Sequence, residues 1–416
     1  MSKTLWFLSF FLLPSICNAV DIKMQSSVQQ WSTATPSERG LNEVVLEELH
    51  REFEDGKHGY VNSFLLVRGG DLVFERYYDV DYESLTKTSK LQQKRIMEKN
   101  YGDNATSQYN YHDSEWHPYY QDTRLHTIQS VTKSVTSALF GIAIRRGELG
   151  SLDDRIFEYF PRLMSLFEDP LKKSITIRDL LTMSAGIKWD EFTHLYTNPL
   201  NDAASMESSD DWLKFILSPP MDFPPGEQFV YNSGITILLS HILQKSVDMP
   251  VDEYAQKYLF EPLGIKDFYW KKTPRGLTDT ESGLYLTSKD FMKLGQLYLD
   301  KGNWRGAQIL PEGWVESTMA PAFDTGYMGN SYGFQWWLAP YDGGGDNWMF
   351  SGSGYGGQYL LIIPEYEFVM VFNGWNIFDV ARPSKEYLAS RVLESIKQTF
   401  LSEQTRKTAN YSSHLN

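Results

Sequence analysis

The sequence predicts an α/β (α+β) fold: one antiparallel sheet built from both chain ends and flanked by helices, with an all-α lobe inserted between the two contributions. Three observations predict it. Short β-rich runs separated by turns occupy residues 61–78 and the C-terminal third. Between them, from Arg124 to about Met292, apolar residues recur mostly at helical spacing. The chain has 416 residues, 42% of them hydrophobic, which is enough to bury a core with room for two or three lobes. Strands at both ends and helices between them pack most economically as one sheet closed by the two ends, with the middle segment as an insertion.

The elements follow in order. Lys3, an apolar run from Leu5 to Leu13, then Pro14 and a Cys17-Asn18-Ala19 end have the charge, apolar core and small-residue pattern of a secretory signal. The run is shorter than the ~20 residues a bilayer span needs. We therefore expect residues 1–19 to be a signal peptide cleaved after Ala19, a periplasmic or secreted product, and no transmembrane anchor. A lipid anchor on Cys17 is the competing expectation, disfavoured by the bulky Ile16 before it. Cys17 is the single cysteine, so a chain cleaved there has no disulfide, no thiol nucleophile and no cysteine metal site.

Residues 20–125 are expected to form the N-terminal part of the α/β domain. LNEVVLEELHREFED, residues 41–55, alternates apolar and acidic positions at helical spacing. Two β-rich runs then flank Gly69-Gly70-Asp71 as a hairpin. Residues 79–122 are polar, without a sustained apolar period, and read as a surface insertion. Residues 126–285 are expected to be the mainly helical lobe. Within it ITIRDLLTMSAGI reads as a strand-like entry and then a helix closed by Gly186, GITILLSHILQKSV as an apolar helix, and DEYAQKYLFEPLGI as a helix stopped by Pro262 and Gly264. Residues 286–416 return to the α/β domain. They hold an amphipathic helix capped near Ser288, four β-rich runs, and a closing helix from about Ser384 to Leu401.

The formal net charge of −14 argues against nucleic acid, whose phosphates require a basic patch. None of the eight histidines has metal-ligand spacing. His112 and His117 read as surface residues.

Two Ser-x-x-Lys matches occur, Ser84 to Lys87 and Ser130 to Lys133, and the pattern is loose enough to arise by chance. Context separates them. Ser84 lies in the polar insertion. Ser130 opens an apolar helix with Val135, Ala138, Leu139, Ile142 and Ala143 behind it. Residues three apart share a helix face, so Lys133 reaches the Ser130 hydroxyl. A serine needs a base to become a nucleophile, and a lysine serves only if burial and neighbours bring its pKa down to ~7–8. The plain alternative is a capping serine followed by an outward-reaching lysine. Two further stretches weigh against that alternative. FPPGEQFVYNSG places Tyr231 in a turn before an apolar helix, where a phenol can relay protons. FSGSGYGGQYLLIIP has glycines that let a strand edge approach a ligand.

SVTK, YNS and SGYGGQYL in this order make the chain resemble the serine hydrolases of the class C β-lactamase, penicillin-binding and esterase superfamily. Connecting text matches as well: GELGSLDDRIFEYFP, FPPGEQFVYNSG and SGLYLTSKDFMKLGQLYLDKG. The forms MSAGIKWDE and YNSG place it nearest the branch of nylon-oligomer (6-aminohexanoate dimer) hydrolases and related esterases. The resemblance implies a β-lactamase/transpeptidase-like fold. It implies Ser130 as acyl-accepting nucleophile, Lys133 as its general base, Tyr231 as proton relay, and an oxyanion hole from the backbone N–H groups of Ser130 and Tyr355. It also implies substrate-lining roles for Ser233, Gly352, Ser353 and Gly354, and Trp189 is a candidate wall of an acyl pocket. No metal and no organic cofactor is implied. The expected partner is a small-molecule ester, amide or peptide-like substrate.

Two departures from the family pattern matter. Gly352 stands where related enzymes carry Lys or His, so the cation that would hold a β-lactam carboxylate is missing. Ser233 stands where the second motif has an amide, with Asn232 as the only nearby substitute. The leading expectation is therefore an exported esterase or amidase acting through an acyl-Ser130 intermediate. A β-lactamase or D-Ala-type cell-wall peptidase is the second reading, and a non-catalytic scaffold of the same fold is the third. Of the adjacent Trp336 and Trp337, strand alternation allows one at most to face the cleft. The Gly-x-Ser-x-Gly elbow of another hydrolase fold fails at Ser353, where Ser351 holds the first place.

Overall fold

Alternating apolar residues at the two chain ends bury their side chains only by pairing, and the pairing joins the ends directly. In the computed structural model, which describes residues 31–81, 85, 124–196, 198–327, 329–341, 348–377 and 381–396, β1 (Val61–Arg68) pairs antiparallel with β13 (Phe368–Gly374). On its other side β1 pairs with β2 (Asp71–Tyr77) through the Gly69-Gly70 turn, where both φ angles are positive as a tight hairpin requires. The rest of the sheet comes from the C-terminal third: β8 (Phe323–Asp324), β9 (Ser331–Tyr332), β10 (Trp337–Pro340), β11 (Trp348–Gly354) and β12 (Gln358–Ile363). The order is β2-β1-β13-β12-β11-β10-β9-β8.

Each face of this sheet has its own core. On one face Phe64, Leu66, Leu361, Met370 and Phe372 pack against Leu46, Leu49 and Phe53 of the Glu43–Glu54 helix, and against Leu388, Ala389 and Val392. Those last three belong to a closing helix described over residues 385–396. Phe64 and Phe372, from opposite ends of the chain, stack at 4.7 Å between ring centroids. On the other face Leu65, Val67, Leu360, Ile362, Val369 and Val371 join a larger core shared with the helical segment. The Ser288–Leu299 helix lies close on this face because Gly295 has no side chain: a Cβ there would sit 2.4 Å from Val369 Cγ1.

The helical segment contains the Thr132–Arg145 and Ser233–Val247 helices and several short ones. It also contains strands that the sequence reading left out. β3 (His126–Thr127), β4 (Phe268–Trp270) and β5 (Leu284–Leu286) form a small antiparallel sheet in the order β3-β5-β4, and β6 (Asn303–Trp304) pairs with β7 (Ala307–Gln308). Strands of two or three residues are too short to show a period.

One helix end differs from expectation. The helix expected to close at Gly186 spans only Ile177–Leu181, because Met183 turns left-handed at φ 57°. The helix expected to stop at Pro262 and Gly264 passes through a π turn at Gln256–Phe260, takes Pro262 into its last turn, and ends at Gly264 with φ 67°. Residues 1–19, where a leader is expected, and nearly all of the expected 79–122 insertion lie outside the described residues. No helix among the described residues is long and apolar enough to cross a membrane.

Candidate active site

The chain reaches Ser130 through a strained corner. Gln129 adopts φ 47°, a conformation a non-glycine residue takes at some cost, and its backbone N–H and side-chain amide both donate to Thr127 Oγ1. Ser130 then sits half-buried in the tight turn Gln129–Val131 that opens the Thr132–Arg145 helix. One turn on, Lys133 is almost completely buried, and its Nζ donates to Ser130 Oγ at 3.1 Å. The same Nζ donates to Glu281 O at 2.8 Å and lies 3.3 Å from Glu281 Oε2. Tyr231, just ahead of the Ser233–Val247 helix, lies beside the pair, with Lys133 Nζ 5.3 Å from its ring centroid, and its phenol interacts electrostatically with both Ser130 and Lys133. The fold thus brings Ser130, Lys133 and Tyr231 together from two separate segments.

The electrostatics differ from the expectation of a depressed lysine. Burial pulls the Lys133 ammonium down, but Tyr231, Glu281 and Glu191 raise it further, and the net direction is upward. Burial raises the Tyr231 phenol against the pull of Lys133. Lys133 therefore rests as an ammonium, paired with the Glu281 carboxylate.

The glycine-rich strand completes the site by proximity. A Cβ at Gly354 would stand 2.6 Å from Ile128 O, and one at Gly352 would stand 2.3 Å from Val131 Cγ1. Val131 therefore leaves no room for a side chain in the place where relatives carry a cation. The end of β11 lies against the Ser130 turn, which puts the Tyr355 backbone beside it. The register of β10 stops at Ser351, leaving Gly352–Gly354 with one edge outside the ladder. The Tyr355 phenol turns away to Ile377 O at 3.0 Å.

Several sequence-chosen residues are engaged elsewhere. Ser233 is buried, its Oγ donating to Glu191 Oε1 at 2.6 Å and its N–H to Glu191 Oε2 at 2.8 Å. Trp189 is buried too and donates its indole N–H to Glu191 Oε2. Asn232 caps the helix through Ile235 N–H, so its side-chain oxygen is committed locally. Strand alternation puts Ser351 and Ser353 on the face opposite Gly352 and Gly354. Ser351 Oγ accepts from the buried Lys385, while Ser353 Oγ is buried without a hydrogen bond. Of the two tryptophans, Trp336 is buried beside Tyr298 and Trp337 stacks on Tyr231 at 5.6 Å. Phe192, 67% exposed, stacks on Tyr231 as well, at 5.2 Å.

Sequence reasoning missed the acidic residues. Glu191 is the hub for Trp189, Ser233 and Tyr196. Glu281, Glu207 and Asp279 are buried with carboxylate oxygens within 4.8 Å of one another, a grouping able to hold a metal ion. Two ammoniums already face it, however: Lys133 at Glu281, and Lys271 at 3.7 Å from Asp279. The available signal was the pair Asp279 and Glu281 directly before the apolar SGLYL run, where a charge needs a buried partner.

A sheet closed by the two chain ends, a helical segment between them and a serine–lysine–tyrosine cluster at the junction define the β-lactamase-like class of folds. The chain belongs to the Beta-lactamase family, which it matches over residues 51–381. It is 25% identical over 268 residues to the 6-aminohexanoate-dimer hydrolase of Paenarthrobacter ureafaciens, covering 59% of this chain and 65% of that relative. Among solved structures it resembles EstCE1, a hydrolase with promiscuous acyltransferase activity (TM-score 0.59, 15% identity, 86% of this chain and 98% of that one). It also resembles a class C β-lactamase in complex with cefoxitin (TM-score 0.57, 14% identity, 86% and 99%). At these identities the structural likeness establishes the fold.

Proposed function

We propose that this protein is an exported serine hydrolase that cleaves a small ester or amide in two steps through an acyl-Ser130 intermediate. The observation that carries the reading is the contact of the buried Lys133 Nζ with the half-buried Ser130 Oγ at 3.1 Å, with Tyr231 beside them. Ser130 attacks the carbonyl carbon as Lys133, in its free-amine form, takes the hydroxyl proton. The backbone N–H groups of Ser130 and Tyr355 face the developing oxyanion. Tyr231 protonates the leaving group and is recharged from Lys133, and water then releases the acyl group by the reverse proton path. No step calls for a metal or an organic cofactor.

The mouth of the site favours an uncharged, apolar substrate. Phe192 and Trp337 stack on Tyr231, and Leu195 and Leu200 are exposed on the loop that carries Phe192. No side chain at position 352 reaches out for a carboxylate. The ester or amide reading is consistent with the hydrolase relative above. A β-lactamase or D-Ala-type peptidase is the second reading, favoured by the free edge of Gly352–Gly354, along which a peptide-like backbone can lie.

Intact-mass analysis with peptide mapping after fluorophosphonate treatment tests the assignment. One phosphonyl group on Ser130, absent from Ser130→Ala, is expected. Equal labelling of the variant would sink it. Turnover of a chromogenic cephalosporin would favour the second reading.

A further inference from the structure

We propose that Glu281 is a positioning residue for this reaction: its carboxylate, held by Ser282 and packed beside Glu207, sets the charge state in which Lys133 meets Ser130. The proposal rests on the nucleophile and base assigned above.

The motif chemistry accounts for Lys133, Ser130 and Tyr231, but not for a fully buried glutamate against the same ammonium. Glu281 comes from a segment stitched to both long helices. Its N–H, and that of Ser282, donate to Asp279 Oδ1 at 3.2 Å. Thr280 Oγ1 donates to Thr236 O at 2.7 Å, and the nearby Leu284 N–H donates to Thr132 Oγ1. The carboxylate is therefore delivered by the scaffold. Glu281 Oε1 accepts from Ser282 Oγ at 3.0 Å, while Oε2 faces Lys133.

Behind it stands a second carboxyl. Burial, with Glu281 beside it, pushes the Glu207 carboxyl well above the usual carboxylate range, and the carboxylate oxygens of the two residues lie within 4.8 Å of each other. Burial raises Glu281 less than Lys133, Glu207 and Lys271 together lower it, so Glu281 is the ionised member. The groups facing the pair are Lys133 from the nucleophile helix, Glu207 from the Asp202–Glu207 helix, Lys271 after β4, and Asp279 on the same segment. Tyr231 and Glu191 face Lys133 from the other side.

Lys133 reacts as the free amine, which forms when its ammonium gives a proton to solvent. That amine takes the Ser130 proton as the Oγ–acyl bond forms. Tyr231 then gives its proton to the departing group, and Lys133 restores Tyr231 and is again a free amine. The net transfer is the Ser130 proton to the leaving group. In the resting state the Glu281 carboxylate keeps Lys133 charged, which sets the pH above which the serine becomes reactive.

The test is the pH profile of the second-order rate of fluorophosphonate labelling at Ser130. Labelling rises with pH as Lys133 loses its proton. In Glu281→Gln the ammonium loses its carboxylate, so the rising limb is expected to move to lower pH by about one unit or more. Glu281→Asp withdraws the carboxylate by one methylene without removing its charge. It is expected to give a smaller shift in the same direction, and it carries the test alone if the Gln variant does not fold. A folded variant that labels with the limb unmoved, or moved to higher pH, overturns the proposal and leaves the nucleophile assignment standing. A wild-type protein that does not label at any pH overturns both.

Discussion

Among the described residues two buried lysines contact a serine at the same distance, and they belong to different kinds of site. Lys133 donates to Ser130 Oγ at 3.1 Å and Lys385 donates to Ser351 Oγ at 3.1 Å. The first lysine is ringed by Glu281, Glu191 and Tyr231, which hold it charged, and its serine is half-buried at a helix start. Among the described residues, the charged or aromatic groups facing the second are the more exposed Glu386, at 3.9 Å, and the ring of Trp337, at 5.2 Å. Burial pushes Lys385 down to about 8, and Ser351 is completely buried. By pKa alone Lys385 is the better base at neutral pH. It has no serine that a substrate can reach. A serine–lysine distance does not make a nucleophile; access and the charged partners around the lysine do.

The largest expected effect breaks this contrast if it fails. Lys133→Ala is expected to slow fluorophosphonate labelling by about a thousandfold or more, since the two residues act as a unit. Ser351→Ala is expected to change labelling by no more than about threefold, because no step uses it. Comparable losses in both variants would mean that the two contacts are coupled.

The second prediction concerns Lys385 itself. Its folded pKa of about 8 lies below its ordinary 10.5. Below pH 8 it is charged in both states and carries its full burial cost. Between pH 8 and 10.5 the folded state gives up the proton while the unfolded chain keeps it, so stability rises with pH. Lys385→Met is expected to be more stable than wild type at pH 7, by up to about 3 kcal/mol, with the gap closing as pH rises towards 10.5. Denaturant unfolding at several pH values reads this out, and parallel pH dependences in the two proteins would contradict it.

The smallest effect sharpens the picture on the strand side. Gly352→Ala places a Cβ against Val131 and is expected to cost ~1–3 kcal/mol of stability. Adding Val131→Ala should return part of that loss. A single variant that melts with wild type would show that the turn carrying Ser130 yields easily.

The legible part of the site was the local part. Ser130 and Lys133 lie one turn apart, and Tyr231 sits in a distinctive turn, so spacing and motif order identify them. Glu281 meets Lys133 across 148 positions of sequence, and no local pattern reports such a contact. Ser233 and Trp189 illustrate the converse. Their types suit a cleft, but Glu191, unnoticed in the sequence, draws both inward. In the fold, the two-ended sheet and the long helices showed clear periods, and the strands of two or three residues did not.

The pairing of β1 with β13 has a consequence for how the protein comes into being. The strand that starts the sheet has no neighbour on that side until the chain has been synthesised through Gly374. Contacts this distant in sequence form slowly and late. A growing chain emerging from the ribosome would thus carry Ser130 and Lys133 for a long stretch of synthesis without β11, the strand that lies against them, and the candidate site would be assembled only after residues 348–354 had been made.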